Sequence, residues 1–260
     1  MKSSDFDRIG GHFLKNIYAT AKGRIRLAVL QRDLAPLLAG EPLRMLDVGG
    51  GAGQMALWYA SLGHEVVVVD RAQRLLDEGR RAAEALGLAE RVRFVCGDAF
   101  ALDGVLGGAR FDAVCCHAVL EWVGDGEGLL TACAARLRPG GWLSLMFYNR
   151  RALVFAQHVF GNFAYLDRGL QAFRKTAKLT PDFPRTPETV AGWLDGLGMV
   201  RERRSAVRCF YDYMKPHDRE RHGVEELVAR ELALSVETDY LAVARYVHEV
   251  RRCGEKFSHQ

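Results

Sequence analysis

Hydrophobic positions along the chain follow two periods that predict strands and helices in turn. Short, continuous apolar runs are typical of strands buried on both faces, and apolar residues three and four apart are typical of helices. The predicted strands are residues 44–48, 65–70, 92–96, 111–116, 142–147, 207–211 and 241–250. The predicted helices are residues 25–38, 54–62, 74–86, 127–137, 187–197 and 219–234.

This alternation predicts an α/β fold, with a mostly parallel seven-stranded sheet covered by helices on both faces. We expect the last strand to run antiparallel. Pro36 is expected to kink the first helix or end it early, and Thr186 with Pro187 predicts a capped helix start. The whole chain, 1–260, is predicted to be one domain. Its parts are an N-terminal helical extension (1–43), a core (44–149), an inserted cap (150–185) and a C-terminal part of the sheet (186–260).

The composition places the chain among ordinary globular proteins. Hydrophobic residues make up 49% and charged residues 26% of its 260 residues, which argues against a disordered, collagen-like or disulfide-stapled chain. No apolar run approaches the roughly 18 residues of a membrane span, and the first seven residues lack the apolar stretch of a signal peptide. The six cysteines form no CxxC pair. We therefore expect a cytoplasmic protein with buried thiols, no metal site and no membrane contact.

Charge is distributed unevenly around the net value of +4. Residues 1–46 contain 8 Lys or Arg and 4 Asp or Glu, residues 47–150 contain 10 and 13, and residues 151–260 contain 18 and 15. An acidic middle between basic flanks suits a cationic cofactor held in the centre and an anionic partner held from the sides. Solvated surface charge with chance asymmetry is the alternative reading.

A glycine-rich turn follows the first predicted strand and opens a helix. It reads Leu46-Asp47-Val48-Gly49-Gly50-Gly51-Ala52-Gly53-Gln54. Glycines permit a tight turn and close approach of a ligand to the backbone. Gln54 occupies the place of the last glycine of a dinucleotide fingerprint, which disfavours a nicotinamide-dependent reductase, and the turn lacks the lysine of a phosphate-binding P-loop.

Acidic residues follow the next two strands. Asp70 ends the second strand and can accept hydrogen bonds from both hydroxyls of an adenosine ribose. Asp98, in Gly97-Asp98-Ala99, follows the third strand and can accept a hydrogen bond from the adenine amine. Each could be an ordinary turn residue, but together with Asp47 they stand in register with the glycine turn, which favours a ligand site.

This arrangement resembles the class I S-adenosylmethionine-dependent methyltransferases, a Rossmann-like family, over residues 46–149. The resemblance implies S-adenosylmethionine as cofactor, with Gly49, Gly50 and Gly51 along its methionyl end. It also implies Asp70 at the ribose, Asp98 with Ala99 at the adenine, and Asp47 within the same site. His117 ends the fourth strand, where that family places a residue beside the sulfonium; a half-buried structural histidine is the alternative.

Further segments resemble one particular family, the bacterial tRNA 5-carboxymethoxyuridine methyltransferases. The segments are Asn16-Ile17-Tyr18-Ala19-Thr20-Ala21-Lys22-Gly23, Arg24-Ile25-Arg26, His117-Ala118-Val119-Leu120-Glu121-Trp122, Leu143-Ser144-Leu145-Met146-Phe147-Tyr148-Asn149, Gly161-Asn162-Phe163, Pro181-Asp182-Phe183-Pro184-Arg185 and Asp212-Tyr213. The resemblance implies methylation of the carboxylate of 5-carboxymethoxyuridine at wobble position 34 of tRNA, giving a methyl ester. It also implies Arg26 as a contact of the cofactor's carboxylate. Tyr211 departs from the pattern, which has a histidine there.

Such a reaction needs no general base, because a carboxylate is ionised at pH 7. The protein must instead position the oxygen and exclude water. The positioning candidates are Tyr148, Asn149, Arg185, Arg208 and Tyr213. Aromatic residues of the cap are candidates for stacking on the flipped base. The candidate phosphate contacts are Arg168, Arg174, Lys175, Lys178, Arg201, Arg203 and Arg204. Two alternatives remain open at this point: a methyltransferase for a small carboxylic acid, phenol or quinone precursor, and a binding module without turnover.

Overall fold

The computed structural model describes residues 20–170 and 181–254, and these contain a seven-stranded sheet. The strands are β1 (Arg44–Val48), β2 (Glu65–Asp70), β3 (Val92–Cys96), β4 (Phe111–His117), β5 (Leu137–Tyr148), β6 (Met199–Val207) and β7 (Tyr246–Cys253). The helices of the first half are α1 (Ala21–Leu38), α2 (Gln54–Ser61), α3 (Gln73–Ala85), α4 (Leu102–Leu106) and α5 (Gly126–Ala134). Those of the second half are α6 (Arg150–Val159), α7 (Phe163–Asp167), α8 (Pro187–Gly196), α9 (Pro216–Glu220) and α10 (Val224–Leu234).

The order of the strands across the sheet is β3-β2-β1-β4-β5-β7-β6. The first five strands are mutually parallel, while β7 lies antiparallel between β5 and β6. The predicted fold class and the antiparallel last strand are thereby confirmed. Because β7 runs against β5, its first residue, Tyr246, pairs with the last residue of β5, Tyr148.

Helices cover both faces of the sheet and form two apolar layers. One layer packs α1, α2 and α3 against the sheet, and the other packs α4, α5 and α8 against the opposite face. The central strands β1 and β2 are buried after their first residues, and β2 contains four consecutive valines, because both strands are covered on both sides. Burial of these side chains supplies most of the driving force for folding.

Several predicted boundaries in the second half are wrong. The strand predicted at 207–211 lies earlier, at β6, and the one predicted at 241–250 is β7, which begins at Tyr246. The helix predicted at 219–234 begins at Val224 and is preceded by the separate helix α9. The helix predicted at 127–137 ends at Ala134, because Leu137 already belongs to β5. Helix α1 continues through Pro36, which lies in its last turn.

The sheet places its functional candidates at one edge. The parallel strands β1, β2, β4 and β5 end at Val48, Asp70, His117 and Tyr148, and β7 begins at the same edge. Ligands of open α/β sheets bind outside the carboxyl ends of the strands. No helix within the described residues has the length and apolar character needed to cross a membrane.

Candidate active site

The glycine turn after β1 is shaped by backbone constraints at Gly49. Its φ is +69°, a conformation that favours glycine, and its N–H donates to the carbonyl of Val69 at 2.7 Å. A Cβ at this position would lie 2.3 Å from Cγ2 of Val119. The turn therefore has no room for a side chain at Gly49 and leaves its backbone exposed to the space above the sheet.

Asp70 links the end of β2 to this turn. Its Oδ2 accepts the backbone N–H of Gly51 at 2.8 Å, and its Oδ1 accepts that of Ala72 at 2.8 Å. Two backbone donors therefore fix the carboxylate plane at the mouth of the turn. A fixed, ionised carboxylate at this place is suited to accept hydrogen bonds from a diol.

A crevice lies above the turn at the carboxyl edge of the sheet. It brings together eight of the nine residues predicted to bind the cofactor, and Trp122 and Val123 add an apolar wall. The eight are Arg26, Gly49, Gly50, Gly51, Asp70, Asp98, Ala99 and His117. A crevice with acidic residues, an apolar wall and a glycine floor is suited to an adenosyl ligand.

Asp47, the ninth predicted residue, lies beneath the turn and does not line the crevice. It is almost fully buried, and a Cβ on Gly50 would lie 2.6 Å from its Oδ2. Burial, with a smaller contribution from the charge of Asp70, raises the pKa of Asp47 to about 7. The carboxyl group of Asp47 therefore lies close beneath Gly50.

At the far end of the crevice, Asp98 is held by its own loop. Its Oδ1 accepts the N–H of Phe100 at 2.9 Å, and its Oδ2 lies 3.7 Å from the guanidinium of Arg71. Phe100 is 47% exposed and also lines the crevice. An acidic residue beside an exposed aromatic ring suits a flat heterocycle that carries an amine.

His117 lines the crevice too, close enough to Arg26 for its charge to act on the imidazole. Its Nε2 is 2.8 Å from Oγ of Ser144, while its Nδ1 is buried without a hydrogen-bond partner among the described residues. Burial lowers the pKa of His117 well below its ordinary value, and the nearby His248 and Arg26 lower it further. The imidazole is therefore neutral and too weak a base to act in general-base catalysis.

A cationic cluster adjoins this end of the crevice, where β5, β6 and β7 meet. Asp212 is buried and accepts Nε and Nη2 of Arg208 at 2.7 and 2.8 Å. Arg245 lies 3.6 Å from the same carboxylate and donates to the hydroxyl of Tyr148 at 2.6 Å. Although burial opposes ionisation, Arg208 and Arg245 hold the pKa of Asp212 below its ordinary value. Lys22 lies 3.4 Å from Asp212.

The cluster carries more positive than negative charge. Lys22, Arg208, Arg219 and Arg245 surround or adjoin Asp212, the carboxylate they share. Burial lowers the pKa of Lys22, and the charges of Arg208 and Arg219 act in the same direction against the attraction of Asp212. An additional anion placed here would therefore be favourable.

The five positioning candidates fall into two groups. Tyr148 and Arg208 belong to the cationic cluster, where Arg208 is held at a φ of +63° and stacks over Tyr246 at 5.3 Å. The side chains of the other three candidates, Asn149, Arg185 and Tyr213, form hydrogen bonds outside this cluster. Asn149 is fully buried, donates to the carbonyls of Leu241 and Ala244 and accepts the N–H of Arg151.

The remaining two candidates hold loops together. Tyr213 donates its hydroxyl to the carbonyl of Val243 at 2.6 Å, and burial raises its pKa to about 12. Arg185 donates to the carbonyls of Val123 and Gly124. Tyr213 therefore stabilises a wall of the site, whereas Arg185 still has a buried Nε without a hydrogen-bond partner among the described residues.

Three residues of the site are not among those predicted from the sequence. Arg245 and Tyr246 come next to the cluster only because β7 is inserted antiparallel, and no local motif marks them. Glu121 was seen only as part of the segment that follows His117. It is buried, and burial raises its pKa to about 7 against the opposing effect of backbone hydrogen bonds and Arg26.

The predicted phosphate contacts are only partly placed at this edge. Arg203 lies 3.6 Å from Asp33, and Arg204 donates to Glu249 at 2.7 Å. Arg201 lies opposite Arg251 of β7 in the strand register, in the part of β6 far from the crevice. The three arginines of β6 therefore do not face the site. Arg168 follows α7 in the cap. The predicted contacts at 174, 175 and 178 lie outside the described residues.

The cap and position 211 have defined surroundings. Phe155 and Phe160 pack on Tyr213, with ring centroids 5.4 and 6.5 Å apart, yet both remain almost half exposed. Phe163 is 58% exposed. Tyr211 stacks under the guanidinium of Arg219 at 4.8 Å. Exposed aromatic rings beside the site are available to stack on bases.

Comparison with known proteins gives consistent results. Residues 46–145 match the family model described as a methyltransferase domain. The chain is 38% identical to the tRNA 5-carboxymethoxyuridine methyltransferase of Escherichia coli over 97% of both chains. It is 36% identical to a ubiquinone biosynthesis O-methyltransferase of Cereibacter sphaeroides over 60% of this chain and 62% of that one. In structure it resembles magnesium protoporphyrin IX methyltransferase of Synechocystis with bound SAH (TM-score 0.63, 15% identity, 96% of this chain and 97% of that chain).

Proposed function

The chain belongs to the tRNA 5-carboxymethoxyuridine methyltransferase family, within the class I S-adenosylmethionine-dependent methyltransferases, and from this premise we propose its reaction and the residues that perform it. It transfers a methyl group from S-adenosylmethionine to the carboxylate of 5-carboxymethoxyuridine at the tRNA wobble position, which gives the methyl ester. The observation that carries this conclusion is the 38% identity over 97% of both chains, whereas the sequence match to the ubiquinone biosynthesis O-methyltransferase covers 60% of this chain. A cytoplasmic location accompanies this proposal.

The residues of the crevice fit the donor. Gly49 leaves a floor that a Cβ would fill, and His117 leaves a buried ring nitrogen without a partner among the described residues. We assign the ribose to Asp70, the adenine to Asp98 with Ala99, and the carboxylate of the methionyl end to Arg26. When bound, S-adenosylmethionine supplies a methyl group on a sulfonium. The protein contributes a fixed binding frame that needs no rearrangement at the moment of reaction.

The cationic cluster supports a carboxylate acceptor. Arg208 directs Nε and Nη2 to Asp212, and Nη1 has no partner among the described residues. Arg245 holds the hydroxyl of Tyr148 in place. We assign these three side chains to positioning of the acceptor carboxylate. Because Asp212 neutralises part of the positive charge, the carboxylate is oriented without being held so strongly that it loses nucleophilicity.

Exclusion of water supports the rate of such a reaction. Attack of an anion on a cation removes charge in the transition state, so a less polar environment favours it. Trp122 and Val123 line the crevice, and the rings of Tyr148 and Tyr246 pack edge to face with centroids 5.3 Å apart. These apolar surfaces keep the reacting groups away from bulk solvent.

The cap supports tRNA as the partner. Arg150 and Arg151 begin α6, directly after β5, and Arg151 lies 3.2 Å from Glu188. Exposed Phe155, Phe160 and Phe163 follow on the same helix and the next. Basic residues beside exposed aromatic rings are suited to an anticodon loop with one nucleotide turned outward.

The function is tested by mass spectrometry of nucleosides from tRNA incubated with the protein and S-adenosylmethionine. Transfer RNA that contains 5-carboxymethoxyuridine should gain the methyl ester, and tRNA lacking that nucleoside should gain nothing. The Asp70→Ala protein is the enzyme control. No product with competent tRNA, or methylation of small carboxylic acids and phenols alone, would reject tRNA as the substrate.

A further inference from the structure

Three buried polar side chains and the partly buried His117 form a continuous hydrogen-bonded network that ends in the crevice. Asp33 of α1 accepts from Nδ1 of His248 at 2.7 Å, and Nε2 of His248 is 2.8 Å from Oγ of Ser144. The same Oγ is 2.8 Å from Nε2 of His117. The chain crosses from a helix on one face through β7 and β5 to β4, and Asp33, Ser144 and His248 have no exposed surface. Buried networks of this kind persist only when their members are satisfied.

The donor and acceptor of each hydrogen bond in the network follow from its ionised end, Asp33. Asp33 accepts two hydrogen bonds from the guanidinium of Arg32 and lies 3.6 Å from that of Arg203, and these contacts favour its ionised form against the effect of burial. An ionised carboxylate only accepts hydrogen bonds, so Nδ1 of His248 carries a hydrogen. Arg32 already neutralises Asp33, donating to Oδ1 at 3.0 and 2.7 Å. Arg203 also lies 3.6 Å from Asp33, so a neutral ring at His248 avoids a third positive charge around one buried carboxylate.

A neutral His248 determines the position of each hydrogen in the rest of the hydrogen-bonded network. Its Nε2 has a lone pair and accepts the hydroxyl hydrogen of Ser144. Oγ of Ser144 then accepts a hydrogen from Nε2 of His117. The neutral ring of His117 carries one hydrogen, so its Nδ1 presents a lone pair. This Nδ1 is the buried nitrogen that lacks a partner among the described residues.

The backbone next to His117 supports a fixed ring. Ala118 has a φ of +59°, an uncommon conformation for a residue with a side chain, and its N–H donates to the carbonyl of Met146 at 2.7 Å. Such strain is maintained by surrounding structure and is concentrated at functional sites. Ala118 also lines the crevice. Both the ring and the following peptide are therefore held in one orientation.

We propose that Asp33, His248 and Ser144 are positioning residues that hold His117 in the tautomer with hydrogen on Nε2, so that Nδ1 accepts a hydrogen bond from the ammonium group of the cofactor's methionyl end. This assignment rests on the proposed function for the identity of the ligand. His117 lies beside Arg26, and a lone pair next to a guanidinium distinguishes ammonium from carboxylate at that end of the crevice.

The tautomer can be measured without any ligand. Long-range ¹H–¹⁵N spectra of the full chain labelled at histidine distinguish hydrogen on Nε2 from hydrogen on Nδ1. Wild-type His117 should carry its hydrogen on Nε2. In Ser144→Ala it should shift toward a mixture of both tautomers, and in the control Ser61→Ala, where an exposed hydroxyl donates to the carbonyl of Trp58, it should remain as in the wild type. A wild-type His117 with hydrogen on Nδ1 would overturn the proposal, whatever the protein methylates.

Binding supplies the second readout, by calorimetry with two adenosyl ligands. Ser144→Ala should bind S-adenosylhomocysteine about two- to threefold more weakly than the wild type does, because in a mixture of tautomers only part of the protein can accept the hydrogen bond from the ammonium group. The analogue that lacks the amino group should bind both proteins equally. An equal loss for both ligands would reduce Ser144 to a structural role and overturn the proposal. If the wild type binds neither ligand, the cofactor assignment fails. The tautomer measurement still decides whether Asp33, His248 and Ser144 set the tautomer of His117.

Discussion

Oδ2 of Asp70 accepts the backbone N–H of Gly51 at 2.8 Å, which ties the end of β2 to the glycine turn. The same carboxylate is assigned to the ribose, so Asp70→Ala removes both an acceptor and the residue that orders the turn. We expect the affinity for S-adenosylhomocysteine to fall by about 100-fold, as for loss of two hydrogen bonds to a charged group.

Calorimetry measures this change, and circular dichroism checks that the fold persists. Asp77→Ala is the matched control, since Asp77 lies on the exposed side of α3 and pairs with Arg80. Unchanged affinity in Asp70→Ala would remove Asp70 from the cofactor site.

Gly49→Ala should be poorly tolerated, because the new Cβ would approach Cγ2 of Val119 to 2.3 Å at a φ of +69°. We expect a loss of about 2 kcal/mol or more in the free energy of unfolding. Gly63→Ala is the control, since its φ is +100° and a Cβ there meets nothing within 4 Å. Adding Val119→Ala should restore part of the stability of Gly49→Ala, and chemical denaturation would show whether it does.

Arg208→Gln should separate acceptor positioning from cofactor binding. Removing a charged donor from the acceptor side should lower kcat/KM for tRNA by about 100-fold, while the affinity for S-adenosylhomocysteine stays unchanged. Arg138→Gln is the control, because Arg138 pairs with Asp112 away from the crevice. Equal activity of Arg208→Gln and the wild type in steady-state assays would contradict the assignment of Arg208.

Stability should depend on pH through Asp47. Burial raises its pKa to about 7, so the protonated carboxyl stabilises the fold at low pH. That contribution is lost as the pH rises from the unfolded value, about 4, through 7. The Asn of Asp47→Asn stays neutral, so the variant should gain about 2 to 3 kcal/mol relative to the wild type between about pH 5 and pH 8.

Thermal unfolding of the ligand-free protein at several pH values measures this difference. The thermal stability of the control variant Asp77→Asn, at an exposed position, should change with pH in the same way as that of the wild type. A gap between Asp47→Asn and the wild type that does not change with pH would show that Asp47 is already ionised in the fold.

Binding of tRNA should weaken steeply with salt, because phosphate contacts by basic residues release counterions. We expect the dissociation constant to rise by about 100-fold between about 50 and 200 mM salt. Affinity for S-adenosylhomocysteine, measured in the same buffers, should stay nearly constant. A tRNA affinity that does not respond to salt would exclude the basic cap as a phosphate-binding surface.

The first half of the fold was predictable from the sequence for a physical reason. Strands β1, β2 and β3 are short apolar runs bounded by turns, and their predicted limits coincide with the observed ones. Strand β6 was misplaced because its middle, Arg201 to Arg204, is charged. It lies at the edge of the sheet, where such side chains remain partly exposed and pair with acidic neighbours such as Glu249.

The candidate site was predictable only where it is local in sequence. The family and the cofactor class are confirmed, and the glycine turn and Asp70 lie together as expected. Arg245, Tyr246 and His248 reach the site by long-range pairing of β7 with β5, which no local pattern reveals. Asn149 shows the opposite case: its type suits a substrate contact, but the fold uses every hydrogen-bonding group of its side chain.

Because β7 is inserted antiparallel, the donor side and the acceptor side of the site come from two different stretches of the chain. The donor side comes mainly from residues before Tyr148, while Arg208, Arg245 and Tyr246 come from the segment that follows β6 and from the start of β7. Recognition of a new acceptor can therefore evolve by changes in the last part of the chain, with the nucleoside half inherited intact.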